Sequence, residues 1–427
     1  MLNRTTAPAF HAIEHINIPQ PEISQLSNGI NIYTINSGSQ ELVKLEFMFK
    51  AGMYYQAHPL IASCTNNLIE TGSSKYTANQ ISERIDYYGG FLELETGQDY
   101  ASITLYTLNK YFNETIEVIQ DILHSPTFPK DEFDIYINNK KQKHLINSQK
   151  VSVLARRRFS ELLFGEKHPY GADVKDGDFE RINTDIIKDF FKSHYNSKNC
   201  TIIVSGCVPK ELPKQLDKLF GTADWGNVEN KLVIMNEKVD TTKQKQHLLL
   251  KDDAIQSAIR VGRVMFNKTH SDYFHFQVLN TILGGYFGSR LMANIREDKG
   301  YTYGIGSGLA SLVNGGYFYI STEVGADVTQ KALDEIYKEV KLLRDDVVKP
   351  EELTTVKNYI LGQFLRSVDG PFALADKFKG IWQYGLTYDY YDKYFAAINN
   401  VTANQLRDLA NKYLQQDDLI ECVAGKK

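Results

Sequence analysis

Apolar residues recur with the period of a strand, and then with that of a helix, in the first half of the chain. Every second residue from 43 to 49 is apolar, which predicts a strand with one buried face. A helical pattern follows over residues 59–71 and ends at a glycine. After a Gly-Gly turn at residues 89–90, a further strand leads into an amphipathic helix whose apolar side lies within residues 116–123.

The same order of elements returns in the second half of the chain. A strand over residues 259–266 precedes a helix over residues 273–283, which again ends at a Gly-Gly pair. A strand over residues 317–321 then leads into a helix whose apolar side lies within residues 333–343. The repetition indicates two copies of one structural unit.

The offset between matching positions supports a duplication. Gly284 follows Gly72 by 212 residues, which is close to half of the chain. We therefore predict two homologous domains, residues 1–225 and 226–427, joined through a polar stretch over residues 221–245. Because strands and helices come in runs, each domain is expected to be α+β, with helices packed on a mostly antiparallel sheet.

Composition narrows the classes of partner. The 427 residues include 48 basic and 52 acidic side chains, so no excess of one sign favours a nucleic acid or an anionic membrane. A protein or peptide partner is therefore expected. No run of 18 apolar residues and no apolar signal-peptide core occurs, from which we expect a soluble, cytoplasmic protein. The four scattered cysteines are interpreted as buried free thiols.

Two segments contain motifs of a known family. Residues 62–73 read ASCTNNLIETGS, and residues 289–303 read SRLMANIREDKGYTY. They resemble A-H-x-x-E-H-x-x-x-x-G-[ST] and S-R-L-x-x-x-[LI]-R-E-x-x-G-x-x-Y of the M16 (pitrilysin- and insulinase-like) peptidases. The likeness extends over nearly the whole chain, and it implies the two-domain M16/LuxS-like metallohydrolase fold.

The first motif departs from the family at the metal-site positions. Ser63, Asn66 and Asn67 stand where the resemblance places the first histidine, the catalytic glutamate and the second histidine. A hydroxyl and two amides are poor ligands for zinc, and Asn66 cannot act as a general base. The family's third ligand, a glutamate, should fall within residues 142–145, which read QKHL. We therefore predict no metal in this chain.

Basic residues surround the expected third position. They are Lys140, Lys141, Lys143, Lys150, Arg156, Arg157 and Arg158. This charge would oppose a dication. The run is interpreted either as the solvated face of a helix or as a surface that attracts acidic groups of a substrate or partner.

The second motif retains residues that contact substrate in the family. Arg296 and Tyr303 match an Arg/Tyr pair that reaches across to the zinc site, where both groups would stabilise charge on an attacked peptide carbonyl. Spacing alone favours the alternative that Arg296 is a surface charge at a helix end and Tyr303 is a buried strand residue. Gly284, Gly285 and Gly288 resemble the glycine-rich loop that lets substrate or partner backbone approach closely; the alternative is a helix cap and turn.

The resemblance implies a function shared between two chains. In two-chain members, one subunit has the H-x-x-E-H site and the other the Arg/Tyr pair, so this chain resembles a zinc-less subunit that is inactive alone. Its partner would be a homologous subunit with zinc and an intact H-x-x-E-H. The two chains would close like a clamshell around a short or unfolded peptide, held by adding a strand to a sheet edge. The second hypothesis is a structural or peptide-binding homologue that hydrolyses nothing.

A literal H-x-x-E-H string also occurs, as HAIEH at residues 11–15. A third hypothesis is therefore an autonomous zinc peptidase that uses His11, Glu14 and His15. The string lies between prolines that leave scarcely ten residues for the supporting helix such a site needs. We interpret it as a coincidence in an N-terminal arm.

Overall fold

The strands of the protein form two sheets in the computed structural model, which describes residues 16–227 and 237–427. The first sheet contains β1 (Glu22–Gln25), β2 (Asn31–Asn36), β3 (Leu42–Phe49), β4 (Phe91–Thr96), β5 (Ala101–Leu108) and β6 (Cys200–Gly206). The second sheet contains β7 (Gln246–Leu250), β8 (Gln256–Met265), β9 (Ile305–Leu312), β10 (Gly315–Gly325) and β11 (Ile420–Gly425).

The two sheets share one topology. Their strand orders are β1-β2-β6-β3-β5-β4 and β7-β11-β8-β10-β9. The pairs β2-β6 and β7-β11 are parallel, and the other neighbouring strands of these sheets are antiparallel. Apart from β1, the orders match position by position. The predicted fold, two related α+β units with mostly antiparallel sheets, is confirmed.

Helices pack on both sheets. Those of the first half are α1 (Ile61–Leu68), α2 (Ala78–Tyr87), α3 (Phe112–His124), α4 (Lys130–Asn147), α5 (Val151–Phe164), α6 (Asp178–Arg181), α7 (Thr184–His194) and α8 (Leu212–Leu216). Those of the second half are α9 (Tyr273–Asn280), α10 (Thr329–Asp345), α11 (Pro350–Arg366), α12 (Pro371–Trp382), α13 (Asp389–Asn400) and α14 (Ala403–Tyr413). Among the helices of the described residues, none is long and apolar enough to cross a membrane.

Two predicted helices have different ends from those expected. The helix expected over residues 59–71 begins at Ile61, because Leu60 before it has a left-handed backbone conformation with φ 79°. Its last turn, Ile69–Thr71, is a 3-10 helix. The helix expected over residues 273–283 continues as a π-helical turn, Thr281–Gly285. Of the predicted link over residues 221–245, residues 228–236 lie outside the described part of the chain.

A helix from each half covers the sheet of the other half. On α12, Ala375 and Phe378 pack with Met48 and Ile203 of the first sheet. On α5, Phe159 and its neighbours pack against the second sheet, where the cluster includes buried Ile420 and Cys422. This exchange explains why both faces of β3 are buried, although only one of them is apolar throughout.

A buried carboxylate also joins the two halves. Asp99, in the turn between β4 and β5, accepts hydrogen bonds from the Tyr170 hydroxyl and from the backbone N–H of Val313, the latter at 3.1 Å. The N–H of Asn314 donates to the Tyr170 oxygen at 3.2 Å. Burial raises the pKa of Asp99, against the opposing effect of the Tyr170 hydrogen bond.

Candidate functional site

Ser63, Asn66 and Asn67, which are predicted to correspond to the metal-site positions of the family, lie on α1, which packs against α7, α4, β4 and β5. Asn66 faces the sheet and is fully buried. Ser63 and Asn67 are half-buried and share the opposite side of the helix, because they are four residues apart. The Asn67 side-chain N–H donates to the Ser63 carbonyl at 2.7 Å. The helix therefore divides the three positions between its core side and its outer side.

Asn66 is a hydrogen-bonding centre of the core. Its side-chain N–H groups donate to the backbone carbonyls of Glu95 at 3.0 Å and Ser102 at 3.3 Å. Its side-chain oxygen accepts from the hydroxyl of fully buried Tyr195 at 2.9 Å. Both ends of the amide are thus engaged by protein groups, as burial of an amide requires. Asn66 has a structural role where the family has its catalytic glutamate.

A lysine ammonium lies beside Ser63. Lys140 on α4 donates to the Ser63 hydroxyl at 3.0 Å and to the Tyr136 hydroxyl, also at 3.0 Å. Tyr136 and Lys140 are one helical turn apart, which places both on the side of α4 that faces α1. The ammonium group of Lys140 thus places a positive charge next to Ser63, and this charge repels any dication that approaches.

The expected third-ligand stretch, residues 142–145, does not converge on α1. Its one imidazole, His144, contacts the Arg157 guanidinium at 3.2 Å and the Asp176 carboxylate at 3.5 Å. Burial raises the pKa of the neighbouring Cys64 thiol to about 11, although Lys140 acts in the opposite direction, so this sulfur is a protonated, poor ligand. In residues 16–227 and 237–427, no group of three or more His, Cys, Asp or Glu could hold a metal ion. The residues present do not fit zinc.

Several basic residues of α4 and α5 form ion pairs with acidic residues of the first half of the chain. Lys141 pairs with Glu180 at 2.6 Å, and Arg157 pairs with Asp173 at 3.3 Å. These contacts fit the interpretation of the basic run as a solvated helix face. Lys140 is different, because both of its hydrogen-bond partners are hydroxyls. The sequence predicts Lys140 as part of the basic run but does not predict its contact with Ser63. The i,i+4 spacing of Tyr136 and Lys140 was the available signal.

Arg296 and Tyr303 lie close together on the second half. Arg296 belongs to the π-helical segment Met292–Asp298, and its Nε donates to the Tyr303 carbonyl at 3.1 Å. Its guanidinium carbon lies 4.7 Å from the centre of the Phe287 ring. The Tyr303 side chain is 95% exposed and precedes β9, so it is not a buried strand residue. The Tyr303 phenol is therefore exposed to solvent, while the backbone of the same residue is hydrogen-bonded to Arg296.

The three glycines of the predicted loop have different surroundings. A side chain at Gly284 would place its Cβ 2.6 Å from the backbone nitrogen of Ser307 in β9, so this glycine is required for packing within the chain itself. At Gly288 the Cβ would meet the Tyr286 ring at 2.8 Å, whereas at Gly285 the nearest atom is 3.2 Å away. Gly284 and Gly285 lie in the π-helical turn that ends the helix. Their role towards substrate stays a prediction.

Tyr303 also borders a cavity of about 370 Å³ beside the second sheet, and Ser152 of α5 contributes to its lining. Its other lining groups include Arg260 of β8 and Glu323 of β10. The contacts of Arg296 described above involve neither Ser63 nor Lys140. His11, Glu14 and His15 lie outside the described residues.

Two models of one peptidase family match this chain. A model described as "Peptidase M16 inactive domain" matches residues 181–360, and one described as "Insulinase (Peptidase family M16)" matches residues 33–163. The chain belongs to peptidase family M16. The inactive-domain match of this M16 protein contains Arg296 and Tyr303, and the insulinase match contains Ser63, Asn66 and Asn67.

Relatives of this M16 chain include proteins named as peptidases and as non-peptidases. "Uncharacterized zinc protease YmxG" of Bacillus subtilis (strain 168) is 23% identical over 80% of this chain and 83% of its own length. "Non-peptidase homolog YmxG" of Helicobacter pylori (strain ATCC 700392 / 26695) is 20% identical over 86% of this chain and 84% of its own. The crystal structure of a peptidase M16 inactive domain from Pseudomonas fluorescens, 20% identical, superposes with a TM-score of 0.85 over 95% of this chain and 98% of that one.

Proposed function

We propose that this chain is the zinc-less subunit of a two-chain M16 peptidase and supplies Arg296 and Tyr303 to its partner's active site. The observation that favours this role is the 95% exposure of Tyr303 beside an anchored arginine. An aromatic side chain that is almost fully exposed buries little surface against the described part of the chain, so it contributes little to the stability of the fold. An exposed phenol in a fixed segment is suited to meet a group from another molecule.

The retained pair would act on the carbonyl of a bound peptide. Zinc in the partner subunit would supply the activated water that this chain lacks. The Tyr303 hydroxyl would donate a hydrogen bond to the carbonyl oxygen as negative charge develops on it, and the Arg296 guanidinium would add its positive charge. Since Arg296 is held by the Tyr303 carbonyl and by Phe287, little reorganisation is needed when the peptide arrives.

The substrate would be a short or unfolded peptide in a chamber between two chains that close like a clamshell. Such a peptide is held by adding a strand to a sheet edge, which gives loose sequence preference. A second candidate function is that of a peptide-binding or structural homologue without hydrolysis. The side chains at the predicted metal-site positions favour it, because Asn66 and Ser63 are engaged in contacts within this chain, and one relative is named a non-peptidase homologue.

The test mixes this chain with an M16 homologue from the same genome that has an intact H-x-x-E-H. The assay follows hydrolysis of an unstructured peptide with a quenched fluorophore. We expect hydrolysis only when both chains are present. With Tyr303→Phe, the rate of hydrolysis by the mixture should fall by about 10² to 10³-fold. Tyr301→Phe is the matched control, since that half-buried ring packs against the core of the second half.

The outcomes separate the hypotheses. An active mixture that Tyr303→Phe leaves unchanged would reject the role assigned to Tyr303. A mixture that binds the peptide without cleaving it would favour the non-enzymatic homologue. Stoichiometric zinc and hydrolysis by the purified chain alone would favour the autonomous peptidase with His11, Glu14 and His15.

A further inference from the structure

Arg260 is a half-buried arginine without an acceptor. It lies on β8, opposite Ser321 of β10, and its guanidinium carbon is 5.5 Å from the centre of the Tyr319 ring. Within the part of the chain that the structure describes, its side chain makes no hydrogen bond and no ion pair. By contrast, Arg263 on the same strand pairs with Asp418 at 2.6 Å, and Arg290 binds Glu352 through two hydrogen bonds of 2.8 Å.

The surroundings of Arg260 are those of a binding site for an anion. Burial lowers its pKa, and Arg156 on α5 lowers it further, whereas Tyr317 and Tyr319 act in the opposite direction. Glu323, the carboxylate of the cavity lining, is exposed and makes no ion pair among the described residues. The guanidinium lines an open cavity and makes no hydrogen bond there to an acceptor in the described part of the chain, so an incoming carboxylate can replace water on it with two parallel hydrogen bonds.

The cavity connects Arg260 to Tyr303. Both side chains line the same space of about 370 Å³, together with Ser152, Ser321 and Thr322. This volume is within the range of small-molecule sites, and it accommodates one side chain or the end of a peptide. A peptide whose carbonyl meets Tyr303 therefore has a neighbouring residue within reach of Arg260.

We propose that Arg260 determines specificity by binding a carboxylate of the same peptide that Tyr303 contacts. The carboxylate belongs either to the C-terminus of the peptide or to an aspartate or glutamate side chain near the bond that is cut. This inference rests on the proposed function for Tyr303. It adds a substrate preference, because the subsite selects peptides that present a negative charge.

The first experiment measures binding to the isolated chain, without any partner. Fluorescein-labelled ten-residue peptides are titrated by anisotropy in three forms: a free C-terminal carboxylate, a C-terminal amide, and an amide with one internal glutamate. We expect at least one carboxylate peptide to bind about 10-fold more tightly than the plain amide. The form that gains affinity identifies the source of the carboxylate.

Substitutions then assign the effect to Arg260. Arg260→Met should remove the preference for the carboxylate and leave the affinity for the amide unchanged. Arg260→Lys should retain part of the preference, since lysine keeps the charge but lacks the planar guanidinium group that forms two parallel hydrogen bonds. Arg156→Met, which removes a neighbouring charge, should change the preference less than twofold. Thermal unfolding of each variant confirms that it is folded.

Three results would overturn the inference: equal affinity for all three peptides, no binding of any of them, or a preference that survives Arg260→Met. Failure of the proposed function is separately visible. It would leave Tyr303→Phe without effect on hydrolysis in the two-chain mixture, whatever the binding data show.

Discussion

Replacing Asn66 by aspartate tests whether this position has become structural. The two side chains have the same shape, but aspartate has no N–H groups to donate. The backbone carbonyls of Glu95 and Ser102 would lose their donors from Asn66. Glu95 and Ser102 are partners in the β4–β5 ladder, so their carbonyls keep those bonds. The cost comes mainly from a buried carboxylate without a positive partner, which should lower the free energy of unfolding by roughly 3–5 kcal/mol.

The matched control is Asn67→Asp on the same helix. Asn67 is half-buried, and its side chain donates to one carbonyl, that of Ser63, within its own helix. Water can replace this bond, so we expect a loss of less than about 1 kcal/mol. Urea titrations followed by circular dichroism measure both variants against the wild type.

The pH dependence gives a second readout of the same substitution. Burial should raise the pKa of the introduced carboxyl, because its charged form would face carbonyl oxygens. The folded variant then binds a proton more strongly than the unfolded chain, so its deficit should shrink as the pH falls from 7 towards 5. If Asn66→Asp stays within about 1 kcal/mol of Asn67→Asp at pH 7, the assigned hydrogen bonds do not stabilise the fold.

Two further predictions concern the metal and the junction between the halves. Adding zinc or EDTA should leave the midpoint of thermal unfolding unchanged, whereas a native-state ligand at 100 times its Kd would add about 2.7 kcal/mol; differential scanning calorimetry with metal analysis decides between the two. Because burial raises the pKa of Asp99 above its ordinary 3.8, the folded chain holds this proton more strongly than the unfolded chain. The wild type should therefore gain stability relative to Asp99→Asn as the pH falls from 7 towards 4, and urea titrations that show the same difference at both pH values would contradict this.

Much of the fold was predictable because local periodicity is strong in this chain. Alternation over residues 43–49 predicts β3, and the repeated order of elements predicts two related sheets. The exchange of α5 and α12 was not predictable. Both helices have patterns that suit either sheet, and their choice depends on contacts between residues far apart in the sequence.

For the candidate site, the sequence predicts which positions are poor zinc ligands, but not which contacts their side chains make. Identity alone shows that Ser63, Asn66 and Asn67 are poor zinc ligands. That Asn66 joins two strands and Tyr195, or that Lys140 lies beside Ser63, depends on packing between elements. The exposure of Tyr303 has the same origin, since it follows from where the chain turns before β9.

The mutual covering of the sheets by α5 and α12 limits how this molecule can move. Parting the halves would strip Phe159 and Phe378 from apolar surroundings at once, at a cost of several kcal/mol. The two halves of the chain are therefore expected to move together as one rigid body. In the proposed two-chain enzyme, a peptide would therefore enter between the two chains, and the strength of their association would govern the rate of substrate entry.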